Sequence, residues 1–321
     1  MMQDILQDNL VTLIAPFYNG EQYLERFLIS VIKQTYTNIQ FILVNDGSTD
    51  NSDRIVERYK TQLTEKLNEF VYLKQENGGA ASAVNLALKY VKGEFLCWAD
   101  CDDELLPENI EKKLLFLNTH KEYGMVNSSA MAIDQVTGKE IKELNVPQDQ
   151  RKDNFFLQII EGIPVYPGVF MIRTQLLFNK LDNRTIYYNS EAGQNYQLLL
   201  PVAYDNRCGF IDDILYYYYV REDSHSHKVD YRKTFDRTYV REILLDQVLE
   251  FVEKSNKKVL MREVSFQSSI QRFNMSFQAN DLIGNNTAYT ELKQYGISFK
   301  MRIKHIIINN NILNKMYRMK G

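Results

Sequence analysis

Over the first 120 positions, short apolar runs alternate with stretches in which apolar residues recur every three or four positions. Residues 11–15, 39–45, 70–74 and 95–98 are such runs, with the length and composition of buried strands. Residues 21–34, 52–67 and 80–91 carry the helical spacing, as Tyr23, Phe27 and Val31 do in the first of them. Four strands alternating with three helices predict an α/β fold whose sheet is mainly parallel, twisted and covered on both faces by helices. In such sheets ligands bind beyond the carboxyl ends of the strands. Loops 17–20, 46–50, 77–80 and 100–103 are therefore expected along one edge.

The pattern then changes. Residues 107–119 predict a helix, 124–133 with 135–144 a hairpin around Thr137-Gly138, 153–161 a helix, 166–172 a strand, 193–204 a helix and 214–220 a Tyr-rich strand. From about residue 230 nearly everything reads as helix, with no Pro to interrupt it. The expected division is an α/β domain over 1–228 and a helical C-terminal region over 229–321.

Composition narrows the function. A 321-residue chain that is 45% hydrophobic can build a sizeable core. Its net charge of -3 gives no basic footprint, which argues against nucleic acid as a partner. Cys97, Cys101 and Cys208 show no Cys-x-x-Cys spacing and read as free thiols of a reducing compartment. The N-terminus carries acids and no 18-residue apolar run occurs, so the expectation is a cytoplasmic protein that can touch the inner face of a membrane. Residues 299–320 mix Lys300, Arg302, Lys304, Lys315, Arg318 and Lys320 with Ile303, Ile306, Ile307 and Leu313, without an acid. A basic amphipathic helix of this kind lies on an anionic membrane, or packs on the catalytic domain or a second copy with its lysines solvated.

The chemistry concentrates where the fourth apolar run stops, at Asp100, Asp102 and Asp103. Three carboxylates in four positions repel one another unless a cation or a set of donors sits among them. They equally suit a solvated loop leading into a helix, since Pro107 fits a first turn and acids favour the positive end of a helix dipole. Asp46 to Asp50 can serve a ligand or form an ordinary turn and helix cap. Asn77-Gly78-Gly79 offers bare backbone amides to an anionic diphosphate, or only a flexible helix start. Neither a dinucleotide nor a P-loop glycine fingerprint is present.

Four motifs occur in order: Ala15-Pro16-Phe17-Tyr18-Asn19; Val44-Asn45-Asp46-Gly47-Ser48-Thr49-Asp50; Asn77-Gly78-Gly79-Ala80-Ala81-Ser82; and Ala99-Asp100-Cys101-Asp102-Asp103. Together they resemble the family-two glycosyltransferases of the GT-A fold, over roughly two thirds of the chain. The resemblance implies inverting transfer of a sugar from a nucleotide-diphosphate donor, UDP above all, to a saccharide or lipid-linked saccharide acceptor in cell-surface polysaccharide synthesis. By that resemblance Pro16 and Tyr18 line the base pocket, where an aromatic face stacks on uracil. Asp46 holds the base, and Asn77 and Gly79 lie beside ribose and phosphate. Asp100 and Asp102 match the Asp-x-Asp motif, the first near the ribose and the second on a divalent cation, Mn2+ or Mg2+, with Asp103 behind them. Arg221 and His225 match a basic loop over the diphosphate, His225 as a further metal ligand.

One element departs from the family. Its members carry Glu-Asp at the start of a helix after the central sheet, with the Asp as general base, whereas this chain has Gln194-Asn195. An amide cannot take a proton from the acceptor hydroxyl. Glu191 is the nearest carboxylate and the expected base, with Asn195 positioning the acceptor. The departure keeps two alternatives in view: a nucleotide-sugar-binding partner subunit with weak or no activity, and a nucleotidyltransferase.

Overall fold

The computed structural model describes residues 6–151, 155–161, 163–188, 193–220 and 231–318. The first half alternates β1 (Gln7–Phe17), α1 (Leu24–Ile32), β2 (Ile39–Asp46), α2 (Ser52–Lys66), β3 (Glu69–Gln75), α3 (Ala80–Leu88) and β4 (Gly93–Trp98). All eight positions of β2 are buried, which is why its sequence reads as an apolar run without alternation. Phe41 on β2 packs against Phe27 of α1 at 6.1 Å and Phe70 of β3 at 5.5 Å. The small residues Ala81, Ala83 and Ala87 are buried on α3, which packs on β1 and β2.

The second half adds β5 (Glu104–Leu105), α4 (Asn109–Thr119), β6 (Tyr123–Asp134), β7 (Glu140–Leu144), α5 (Phe155–Glu161), β8 (Phe170–Arg173), α6 (Thr174–Phe178), α7 (Asn195–Ala203) and β9 (Arg207–Val220). Among the described residues the strands form one sheet in the order β3-β2-β1-β4-β8-β6-β9-β5, with β7 paired to β6. The pairs β1–β2, β2–β3 and β1–β4 are parallel, as the alternating pattern predicts. Beyond β4 the sheet becomes mixed: β8 runs antiparallel to both β4 and β6, while β9 runs parallel to β6. Register pairs Phe17 with Asn45, Asp46 with Gln75 and Ile14 with Trp98, so the carboxyl ends of β1 to β4 share one edge.

Several boundaries differ from the expected ones. β1 continues through Pro16, because its pairing with β4 ends at Ile14 and only one side of the strand then needs a ladder. β8 starts at Phe170 rather than 166, after Gly168 turns the chain with φ +75°. β9 begins at Arg207, earlier than the Tyr-rich run.

Contacts divide the chain into two units, Met1–Ile159 with Ile163–His227, and Ile160–Gly162 with Lys228–Gly321. The second unit contains α8 (Tyr231–Val248), α9 (Lys254–Ala279), α10 (Leu282–Leu292), α11 (Phe299–Asn309) and α12 (Asn311–Arg318). Arg272 of α9, 2% exposed, donates to Glu242 of α8 at 2.6 Å and Glu291 of α10 at 2.8 Å, and lies over the Tyr239 ring. Such full pairing is what a buried guanidinium requires. The basic tail is two helices rather than one. Asn310 leaves helical geometry and its side chain accepts from the Leu313 amide, capping α12, a role for which Asn is well suited. Among the described residues no helix is long and apolar enough to cross a membrane.

Candidate active site

The strand-end loops are stitched together by side chains. Asp46, 4% exposed, accepts at Oδ1 from Gln75 Nε2 (2.6 Å) and the Gly78 amide (2.9 Å), and at Oδ2 from the Gly79 amide (2.8 Å). Asn77 Nδ2 returns a bond to the Asp46 carbonyl at 3.1 Å. The approach is close enough that a Cβ on Gly47 would lie 2.6 Å from the Asn77 nitrogen, and Gly47 has φ +75°. A carboxylate oxygen has two lone pairs, so Oδ2 of Asp46 keeps capacity for one more donor. The first loop is tied in the same way: Asn19 Oδ1 accepts from the Thr49 amide (2.8 Å), and the Asn19 and Gly20 amides donate to Ser48 Oγ and Ser52 Oγ at 2.9 Å. Beside this clasp the Tyr18 ring is 51% exposed.

At the end of β4, one oxygen from each of Asp100, Asp102 and Asp103 lies within 4.8 Å of the others. Their environments differ. Asp103, 1% exposed, accepts from Tyr216 Oη at 2.7 Å and from the Tyr219 amide at 2.9 Å, which ties the loop to β9. Burial, and then the charges of Asp102 and Asp100, push its carboxyl well above the usual carboxylate range. Arg26 of α1 donates to the Asp102 carbonyl and to Gln135 Oε1, and its guanidinium lies 3.4 Å from the centre of the Tyr219 ring. Asp103 is thus spent on the scaffold, while Asp100 and Asp102 are half-buried. Two hard oxygen donors beside a third, buried carboxyl suit Mg2+ or Mn2+, whose charge relieves the repulsion.

Asp100 and Asn195 line one cleft of about 390 Å³ together with Tyr166, Pro167, Tyr218 and Lys142. Trp98, 1% exposed, donates its indole N–H to Asn195 Oδ1 at 2.8 Å. That bond fixes the amide, leaving its NH2 group as the available donor at the start of α7. Trp98 in turn stacks on Phe170, with ring planes 11° apart.

The structure therefore gathers Pro16, Tyr18, Asp46, Asn77 and Gly79 at the ends of β1 to β3, and places Asp100 and Asn195 in the lining of one cleft. Glu191, Arg221 and His225 lie outside the described residues. Sequence reasoning passed over Gln75, Arg26, Tyr166, Tyr218 and Trp98. Only the last carried a signal: a Trp inside an apolar run needs a partner for its N–H.

The sequence profile described as Glycosyl transferase family 2 matches residues 12–180, a span that contains all four strand-end loops. The chain belongs to this family. A Streptococcus pneumoniae relative, the glycosyltransferase GlyG, is 30% identical over 73% of this chain and 77% of its own length. The Bacillus subtilis minor teichoic acid biosynthesis protein GgaB is 31% identical over 67% of this chain, which spans only 23% of that protein's length. Among solved structures, Staphylococcus aureus TarS 1-349 in complex with UDP-GlcNAc aligns with a TM-score of 0.63 at 20% identity, over 97% of this chain and 92% of that one. A Pyrobaculum calidifontis mannosyltransferase in complex with GDP-Man and Mn2+ aligns at 0.54 and 16% identity, over 97% and 83%. The likeness bears out the GT-A-like sheet flanked by helices and followed by a helical C-terminal region.

Proposed function

We propose that this glycosyltransferase moves a sugar from a UDP-linked donor to a saccharide acceptor with inversion at the anomeric carbon. The observation that carries this reading is that Asp100 and Asn195 line one cleft, with Asp100 at the sheet edge where the nucleotide-fitting loops end. The Tyr18 ring stacks on the base, and Oδ2 of Asp46 accepts its N–H. Asp100 takes the ribose and diphosphate side, and Asp102 with Asp100 would hold Mn2+ or Mg2+, which stabilises charge on the departing diphosphate. The NH2 group of Asn195, oriented by Trp98, holds the acceptor. Glu191 takes the proton of the attacking hydroxyl from the face opposite the leaving group. Arg221 and His225, which match the family's basic loop, are assigned to the diphosphate, with His225 as a further metal ligand. The name of the Bacillus subtilis relative supports a cell-surface glycan, free or lipid-linked, as acceptor.

The test is a donor panel of UDP-GlcNAc, UDP-glucose, UDP-galactose and GDP-mannose, each with Mn2+, Mg2+ or EDTA, over a panel of saccharide acceptors. Nucleoside diphosphate should be released together with a glycosylated product, and EDTA should stop both. Donor binding without product for any pair would favour a binding subunit, the reading that the Asn195 amide supports. Pyrophosphate release from a nucleoside triphosphate would mean nucleotidyl transfer. Glu191→Gln should lower kcat by about 10²–10⁴ with donor KM unchanged. Full activity in that variant would remove Glu191 from the mechanism.

A further inference from the structure

The cleft between Asp100 and Asn195 does not end there. A second compartment of about 200 Å³ adjoins it and shares Lys142, Leu144 and Tyr166 with it as common walls. Asn127 lies in this compartment on β6, held between β8 and β9 by its pairing with Phe170 and Phe210. Its residue surface is only 7% exposed, no hydrogen bond reaches its side-chain amide from the described residues, and neither amide atom is among the fully buried ones left without a partner, so the amide opens onto the compartment. An amide that opens onto a compartment is hydrated while the compartment is empty, and a hydroxyl that enters can take the place of that water.

The remaining lining says what that is. Lys142 and Glu143 balance in charge, and Asn145 donates to Glu143 at 2.7 Å, so no net charge selects an ion. Tyr166 offers a ring, in edge contact with Tyr218 at 5.3 Å. The Asn127 amide and the Tyr166 ring together match a neutral, hydroxyl-rich ring with apolar C–H faces. A cavity of about 150 Å³ holds one benzene ring, so 200 Å³ has room for one sugar.

We propose that this compartment binds the second sugar unit of the acceptor, counted from the unit whose hydroxyl reacts, and that Asn127 is its specificity-determining contact. The proposal rests on the cleft being the acceptor side of the donor site. It makes the acceptor at least a disaccharide, recognised along β6 and the edge strand β7. Because Asn127 gives up no protein hydrogen bond when replaced, the free protein keeps its stability and only the longer acceptor loses affinity.

Saturation-transfer NMR on the full chain with UDP and Mn2+ tests it. The probes are methyl glycosides of glucose, galactose and N-acetylglucosamine and of their β-linked disaccharides. At least one disaccharide should bind more tightly than its monosaccharide and show saturation on both rings. Asn127→Leu should weaken that disaccharide about tenfold, the worth of one lost hydrogen bond, and spare the monosaccharide and UDP. Asn145→Trp, at an exposed position on the rim, should block the compartment with the same selectivity and guards against a misfolded first variant. Disaccharides that bind no better than monosaccharides, or that bind the variants as well as the wild type, would overturn the proposal. So would binding of UDP with no glycoside at all. Failure of UDP itself to bind would instead overturn the donor-site reading.

Discussion

Lys113 shows how a single residue can shape the scaffold behind the site. It has no exposed surface on α4, and its Nζ donates to Asn109 Oδ1 at 2.9 Å and to the Gly168 carbonyl. Loss of hydration pushes its amine down to about 8. An unfolded lysine titrates near 10.4, so between about pH 8 and 10.4 the unfolded chain binds more protons than the folded one. Stability contributed by this group therefore rises with pH across that window, by about 3 kcal/mol in total. Urea unfolding at pH 7 and 10 should show a change in stability more positive in the wild type than in Lys113→Met; the comparison isolates Lys113 from the buried Cys97 and Cys208, whose raised thiols pull stability the other way in both proteins. That variant should be at least as stable as the wild type at pH 7, since Asn109 still donates to Gly168. Equal slopes in both proteins would show that Lys113 is not the group responsible. Neither Lys113 nor the Trp98–Asn195 bond was legible in the sequence. A buried lysine looks like any helix-surface lysine, and Asn195 lies 97 residues from its partner. Asp100 and Asp102 were legible because an apolar run ended on them.

At the level of elements, the first four strands and three helices follow from their patterns, since β2 is buried throughout, β1 and β4 are buried over most of their apolar runs, β3 is half-buried, and α1 has a clear apolar face. Legibility fades after β4, where the sheet mixes directions and short pieces such as β5 and α6 carry too few residues to show a period. The approach to β8 illustrates the reason. Its sequence from Tyr166 reads as strand, but Gly168 bends the chain with φ +75° and presses on Tyr216, where an added Cβ would meet the ring at 2.0 Å. Tyr216 in turn holds Asp103, so one glycine sets the spacing between β8, β9 and the acidic loop. Gly168→Ala should cost about 2–5 kcal/mol, from strained backbone and overpacking together. It should also weaken Mn2+ binding, measured by titration calorimetry below the variant's melting temperature. A variant with wild-type stability and metal affinity would show that the packing yields at no cost.

For the whole molecule, the open matter is where an acceptor anchored in lipid would be met, and the helical unit supplies the relevant surface. Phe299, Ile303 and Ile306 are 76%, 41% and 57% exposed and recur on one face of α11. Lys300 and Arg302 are exposed beside them, Lys315 follows on α12, and no acid occurs after Glu291. The composition of this tail was legible, but its division at Asn310 was not, because only the capping geometry reveals it. Each cation near an anionic bilayer contributes about 1 kcal/mol, and the exposed apolar side chains add burial at the acyl boundary. We expect the full chain to float with vesicles of phosphatidylglycerol and phosphatidylcholine, and much less with phosphatidylcholine alone. Raised salt should weaken the association, because the attraction of surface charges is screened. Phe299→Ser with Ile303→Ser and Ile306→Ser should abolish flotation while leaving UDP binding intact. Light scattering of the same samples reports the competing use of this face: a stable dimer that the triple variant dissociates, with no flotation by the wild type, would assign the face to a second copy of the chain.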